Sequence, residues 1–226
     1  MPFIVDKNMR KSCIRALEKF DNKIFFSKDC PWIYNPVNTH PDLQIHFAKN
    51  NLAFVPPELF EYYKSILPDY MKIKIGNKSL GGSYPEDVAY NIARIGNFVV
   101  ANENYADEHI MSYYRQNNFK IINIKQGYAK CNVCTDGRVA VTEDEGIYKK
   151  LCENGVKTLL ISPGNVKLDN FPYGFIGGAS GYVKNKIVFC GKVSEEVICF
   201  FKENGTDVFS LDMENLTDYG SVLYFE

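Results

Sequence analysis

Four times along the chain, hydrophobic and polar positions pass through the same succession of periods. Two short stretches rich in β-branched or aromatic residues precede an amphipathic helical stretch, and another strand follows it. Gln44 to Ala48, Leu52 to Val55, the helix Glu58 to Leu67 and the strand Met71 to Ile75 make one copy. Val88 to Arg94, Phe98 to Ala101, the helix Asp107 to Gln116 and the strand Phe119 to Ile124 make the next. In the third, the strands Ala129 to Cys134 and Arg138 to Val141 flank a Thr135-Asp136-Gly137 turn. Glu143, Asp144 and Glu145 then open a helix whose Ile147, Tyr148 and Leu151 face inward. The fourth runs Ser180 to Val183, a Lys184-Asn185 turn, Lys186 to Cys190, and a helix capped by Ser194 with Val197, Ile198 and Phe201 as its stripe. These last two helices close at Asn154-Gly155 and Asn204-Gly205, where glycine admits the left-handed conformation of a helix end.

The copies recur every roughly 40 to 50 residues, the spacing of a repeat architecture. The N-terminus adds a helix, Arg10 to Phe20, and a strand, Lys23 to Ser27, while the C-terminus ends in a lone strand, Ser221 to Phe225. Joined, these pieces make a fifth unit and close a ring, which removes exposed sheet edges. The expectation is an α/β fold: a five-fold pseudosymmetric β/α propeller of ββαβ modules, the fifth shared between the termini. No linker or low-complexity stretch interrupts the pattern, so residues 1–226 read as a single domain.

At 226 residues the chain is long enough to bury a full core without disulfides. A formal charge of −1 offers no basic footprint for nucleic acid, and the apolar runs are too short to span a membrane. The odd count of 7 cysteines, with Cys13, Cys152 and Cys199 on apolar positions of helical patterns, fits reduced thiols and a cytoplasmic setting. Met1-Pro2-Phe3-Ile4-Val5 is followed at once by Asp6 and Lys7, so it does not read as a signal peptide.

Five pieces fall at one place in the repeat, the start of each first strand. They are Asn38-Thr39-His40-Pro41-Asp42, Gly82-Ser83-Tyr84-Pro85-Glu86-Asp87, Gln126-Gly127-Tyr128-Ala129-Lys130-Cys131, Phe175-Ile176-Gly177-Gly178-Ala179-Ser180-Gly181 and Leu216-Thr217-Asp218-Tyr219-Gly220-Ser221. With these pieces on five ββαβ units, the chain resembles the pentein superfamily, the five-bladed fold of the guanidino-group-modifying enzymes, and within it a bacterial branch without an assigned activity. Repeats around an axis bring equivalent positions together, so these pieces are expected to face one cavity at an end of the central channel.

Enzymes of that superfamily use a cysteine thiolate on the guanidinium carbon, a histidine as acid/base, and acids that hold the cation. The resemblance implies Cys131 and His40 as catalytic candidates, with Asp42 completing a His-x-Asp spacing. Tyr84, Asp87, Lys130, Ser180, Asp218 and Ser221 are candidates to bind a small polar or cationic ligand in the channel. The match departs from the family in order. His40 and Cys131 lie two blades apart, and the Gly-rich stretch Gly177-Gly178-Ala179-Ser180 lacks a cysteine. Two readings therefore stay open. One is a Cys-dependent hydrolase or amidinotransferase-like enzyme acting at a guanidine or amidine C–N bond. The other is a non-catalytic pentein that binds a small ligand or a macromolecule, as a ribosome-binding translation factor of the superfamily does.

Cys131-Asn132-Val133-Cys134 is a CxxC, but on a strand its sulfurs would face opposite sides, so no metal site is expected. The glycines match no nucleotide fingerprint, and no cofactor is called for. His46 and His109 read as structural.

Overall fold

The computed structural model describes residues 2–225. It contains five three-stranded sheets of one design: the middle strand pairs antiparallel with one neighbour and parallel with the other. In chain order the elements are β1 (Phe3–Val5), α1 (Lys11–Glu18), β2 (Ile24–Phe26), α2 (Pro41–Gln44), β3 (His46–Lys49), β4 (Leu52–Val55), α3 (Phe60–Ile66) and β5 (Lys72–Ile75). There follow β6 (Ala93–Ile95), β7 (Phe98–Ala101), α4 (Glu108–Gln116), β8 (Lys120–Asn123), α5 (Ala129–Asn132), β9 (Cys134–Thr135), β10 (Ala140–Thr142), α6 (Glu145–Glu153) and β11 (Thr158–Leu160). Last come β12 (Ser180–Val183), β13 (Lys186–Phe189), α7 (Glu195–Glu203), β14 (Asp207–Ser210) and β15 (Leu223–Tyr224).

The sheets are β3-β4-β5, β6-β7-β8, β9-β10-β11, β12-β13-β14 and β15-β1-β2, the last shared by the two ends of the chain. Five blades of one design, the fifth closed by both ends of the chain, make the β/α propeller that the repeat predicts. One strand escapes the sequence reading. Phe3, Ile4 and Val5, wholly buried, form the middle strand of the split blade, so the N-terminus supplies two strands and not one.

The helices behave as their patterns dictate. Asp107 caps α4 by accepting from the His109 and Ile110 N–H groups, and Asp144 caps α6 through Ile147 N–H, whereas Ser194 makes no such bond before α7. Gly155 and Gly205 take φ of 77° and 79° after α6 and α7, and Asn118 takes 59° at the same place after α4. In all three the next residue bonds back five positions, Val156 to Leu151, Thr206 to Phe201 and Phe119 to Tyr114. Ile147 and Leu151, Val197 and Phe201, and Ile110, Met111 and Tyr114 are the buried faces. Cys152 and Cys199 lie on the outer faces and are exposed, against the expectation of apolar burial.

Two predicted first strands are shorter than the pattern suggests. The chain from Val88 becomes a strand only at Ala93, and Ala129 to Asn132 forms a helical turn ahead of the two-residue β9. Pro41–Gln44 forms the matching turn in the first complete blade, so β3 starts at His46. Proline at a helix start suits Pro41, and these turns re-aim the residues they carry toward the axis. Cys131 therefore sits on a helical turn, and the opposite-face argument for the CxxC does not apply to it. Among the described residues no group of His, Cys, Asp and Glu is placed to hold a metal ion.

Candidate functional site

The two turns meet at the middle of the ring. Asn91 fastens α5 from the neighbouring blade: its Oδ1 accepts the Lys130 and Cys131 N–H groups at 2.8 and 3.1 Å. Its Nδ2 donates to Asp42 O at 3.2 Å and to Cys131 Sγ at 3.0 Å. The Cys131 thiol donates to Asp42 Oδ2 at 3.2 Å. Ser221 donates to the same oxygen at 2.7 Å and accepts from Lys130 Nζ at 2.9 Å. Gly177 lets the fourth blade close on this knot. A side chain there would overlap the carbonyls of Lys130, Cys131 and Val133, while Gly178 N–H bonds Cys131 O at 2.9 Å.

His40 belongs to a second knot beside the first. Its Nδ1 lies 3.8 Å from Asp218 Oδ1 and its Nε2 4.0 Å from Asp6 Oδ2. Asp218 is held by the Gly220 and Phe175 N–H groups, both at 2.9 Å, and Asp6 by Asn8 N–H and Thr39 Oγ1. The residue of the fifth blade packed on His40 is Gly220, with φ of +64° and no room for a Cβ. The imidazole is thus met by carboxylates and by a bare glycine. Among the described residues no hydrogen bond joins it to Cys131, whose partners are Asp42 and Asn91.

The electrostatics follow from crowding of acids in a dry interior. Burial pushes the carboxyls of Asp6 and Asp218 up; His40 pulls each back and Asp42 pushes each further. Glu143 on the same side rises to about 7, chiefly by burial, although Ile176 N–H bonds its Oε2 at 3.0 Å. The Cys131 thiol rises well above 9, first through burial and then through Asp42 and Asp218, so it rests protonated. Buried oxygens of Asp42 (Oδ1), Asp87 (Oδ1) and Glu143 (Oε1) accept no hydrogen bond among the described residues.

The residues expected to share one cavity divide between two. Asp42, Lys130 and Ser180 line a 430 Å³ cavity along the axis, whose walls come from the inner strands β3, β6, β9, β12 and β15. His40 and Asp218 line a separate 440 Å³ cavity with Asp6, Asn8, Arg10 and Lys167. Cys131 and Ser221 are buried between the two groups, bonded to Asp42. Asp87 is buried beneath Tyr128, which donates to its Oδ2 at 2.6 Å and meets Tyr34 at 2.6 Å. Tyr84 stacks on Tyr128 and is 46% exposed. The separation arises because the helical turns at Asp42 and Cys131 fill the axis where open strands would have left it clear.

Sequence reasoning missed Asn91, Asp6 and Tyr128. Asp6 directly follows the apolar triplet Phe3-Ile4-Val5, a strand signal that would have placed it just past the end of a blade's middle strand. Asn91 lay inside a stretch read as strand and had no local signature. His46 is buried against Tyr114, 2.7 Å away, and His109 lies on α4 with Nδ1 3.0 Å from Ile75 O.

A model described as a family of unknown function, DUF6873, matches residues 4–223. No curated protein is similar to the chain in sequence. Among solved structures the chain is similar to DDAH from Pseudomonas aeruginosa in complex with citrulline. The TM-score is 0.56 at 9% identity, over 93% of this chain and 91% of that one. It is also similar to dimethylarginine dimethylaminohydrolase in an adduct with 4-chloro-2-hydroxymethylpyridine. There the TM-score is 0.54 at 9% identity, over 93% and 92% of the two chains. At that identity the likeness is one of fold. No helix among the described residues is long and apolar enough to cross a membrane.

Proposed function

The chain belongs to the family of unknown function DUF6873, and from that footing we propose that it binds a small cation of the guanidino or amidine class at the starts of the inner strands. One observation carries the reading. Asp6, Asp42 and Asp218 are 2%, 1% and 3% exposed, and among the described residues none of the three has a lysine or arginine within ion-pair distance. Three buried acids with His40 as their one basic neighbour within ion-pair distance among the described residues are costly, and a cationic ligand beside them offsets that cost. A planar guanidinium or amidinium offers several N–H donors to carboxylates with lone pairs to spare. The structural neighbours named above point the same way, since their names and contents are dimethylarginine and citrulline.

His40, between Asp6 and Asp218, lines the same cavity. The test is a thermal-melt panel with methylguanidine, benzamidine, methylammonium and acetate. Stabilisation by the first two, none by acetate, and loss of the effect in Asp218→Asn are expected. Equal responses to all four, or an unchanged response in Asp218→Asn, would remove the reading.

A covalent reading has its own observation, the Asp42–Cys131–Asn91 geometry. Asp42 is placed to take the thiol proton while Asn91 Nδ2 holds the sulfur. The thiolate would add to the guanidinium carbon, the C–N bond would break with the proton passing to the leaving amine, and water would hydrolyse the thiouronium. Burial of Cys131 outside both cavity walls favours binding over this step. Cys131→Ser decides between them: preserved affinity with no turnover to lose supports binding alone, and abolished turnover of a guanidine supports the covalent route.

A further inference from the structure

The axial cavity carries two cations, Arg94 and Lys130, that the cation reading does not use. It runs along the inner strands, from Asp42, Ile92 and Lys130 just ahead of them, through Phe47, Arg94 and Tyr182 within them, to Gly96, Gly137 and Tyr224 at or past their ends, whereas His40 and Asp218 line the other cavity. Its charged lining is Arg94, Lys130, Asp42 and Asp136, with His46 in the wall. Asp136 is already answered, by Arg138 at 2.8 Å and by Thr206 Oγ1 at 2.6 Å. Asp42 accepts from Ser221 and Cys131.

The two cations are not answered. Arg94 is exposed and donates through Nη1 to Ala48 O at 2.6 Å. Lys130 Nζ bonds the neutral Ser221 Oγ at 2.9 Å and Gly177 O at 3.4 Å. Among the described residues neither has a carboxylate within ion-pair distance. Burial first, then the charge of Arg94 and, as a smaller cause, that of Lys130 bring the His46 pKa down to about 3.

We propose that this cavity is a second binding site, for a small organic monocarboxylate held between Arg94 and Lys130. A guanidinium fork and an ammonium are the groups that fix a carboxylate. Its 430 Å³ falls in the range of roughly 300–1,000 Å³ typical of small-molecule sites, too large for a bare ion alone. Ile45, Ile92 and Val222 supply apolar wall for the carbon skeleton, and Ser180 a hydroxyl. Asp42 and Asp136 in the same lining set the charge limit, because a dianion would meet both.

The full chain, histidine-labelled for NMR, is titrated with sodium L-lactate, with inorganic phosphate and methylguanidine as separate arms. Lactate is expected to shift the His46 ring signals saturably and leave those of His109 in place. Calorimetry should show affinity falling about tenfold in Arg94→Gln and in Lys130→Met, one hydrogen-bonded ion pair each. Two variants are used so that a folding failure in one leaves the other to decide. No saturable His46 response to lactate, an unchanged affinity in both variants, or tighter binding of phosphate overturns the proposal. Methylguanidine reports on the acidic end, at His40, so either site is able to fail while the other stands.

Discussion

At the starts of the inner strands, Asp6, Asp42 and Asp218 gather around His40, on which Gly220 closes; along the axis toward their far ends runs a cavity lined by Arg94 and Lys130, with open space at the Gly137 turn. Both ends are built from the same five repeats, so the difference does not come from topology. It comes from what interrupts the strands. Helical turns at Pro41–Gln44 and Ala129–Asn132 plug the axis and pull acids into a dry interior, while the hairpin ends leave their polar groups facing solvent. A channel that ring symmetry makes continuous becomes two sites, one beside buried acids and one whose lining holds two cations with no carboxylate in ion-pair distance among the described residues.

The contrast in packing is broken or confirmed by two glycines. Gly220→Ala places a methyl on His40 from a residue at φ +64°, and about 3–5 kcal/mol of stability should be lost in urea unfolding. Gly137→Ala, at φ +87° with open space around it, should cost only about 1–2 kcal/mol, the left-handed penalty alone. Equal losses would mean that the two ends are packed alike.

The contrast in charge is sharpened by pH. The carboxyl of Glu143 titrates near its usual 4.5 in the unfolded chain and about 7 when folded, so the folded state holds the proton longer. Stability from this group is present below about 4.5 and is lost as pH rises through about 7. Glu143→Gln stays neutral, so relative to wild type it should gain about 3 kcal/mol across that window. A pH-independent difference would show that Glu143 is solvated.

Thiol reactivity separates buried from surface cysteines on the same scale. Cys131, held protonated by burial, Asp42 and Asp218, should be alkylated about a hundredfold more slowly near neutral pH than exposed Cys152 or Cys199. Mass spectrometry of the modified chain reads all seven thiols at once. Fast alkylation of Cys131 would revive the covalent reading. The smallest effect lies in single polar contacts. Ser221→Ala, which strips Asp42 of a buried donor, should cost about 1–3 kcal/mol, whereas the exposed Arg94→Gln should change stability by less than about 0.5 kcal/mol.

The repeat was legible because each blade states its periods locally: the Asn-Gly helix ends, the Asp107 and Asp144 caps and the alternating strands all act within a few residues. The ring closure followed from counting. What could not be read was the axis, where Asn91, Asp42 and Cys131 meet from three blades, up to 89 residues apart. The strand-like composition of Ala129 to Cys134 concealed a helical turn that Asn91 fastens from the neighbouring blade. Asp6 was hidden for a different reason: a three-residue strand is too short to show a period, and one of its two pairing partners lies at the other end of the chain.

The central claim, that the acidic end takes a guanidino or amidine cation, is met most directly by calorimetric titration with methylguanidine at about pH 5, in two buffers of different ionisation enthalpy. Burial raises the carboxyl pKa of Asp6 and of Asp218, and an arriving cation favours their ionised forms. Saturable binding with net proton release, both abolished by Asp218→Asn, is the predicted result. Absence of binding, or binding that neither releases protons nor responds to Asp218→Asn, would contradict it.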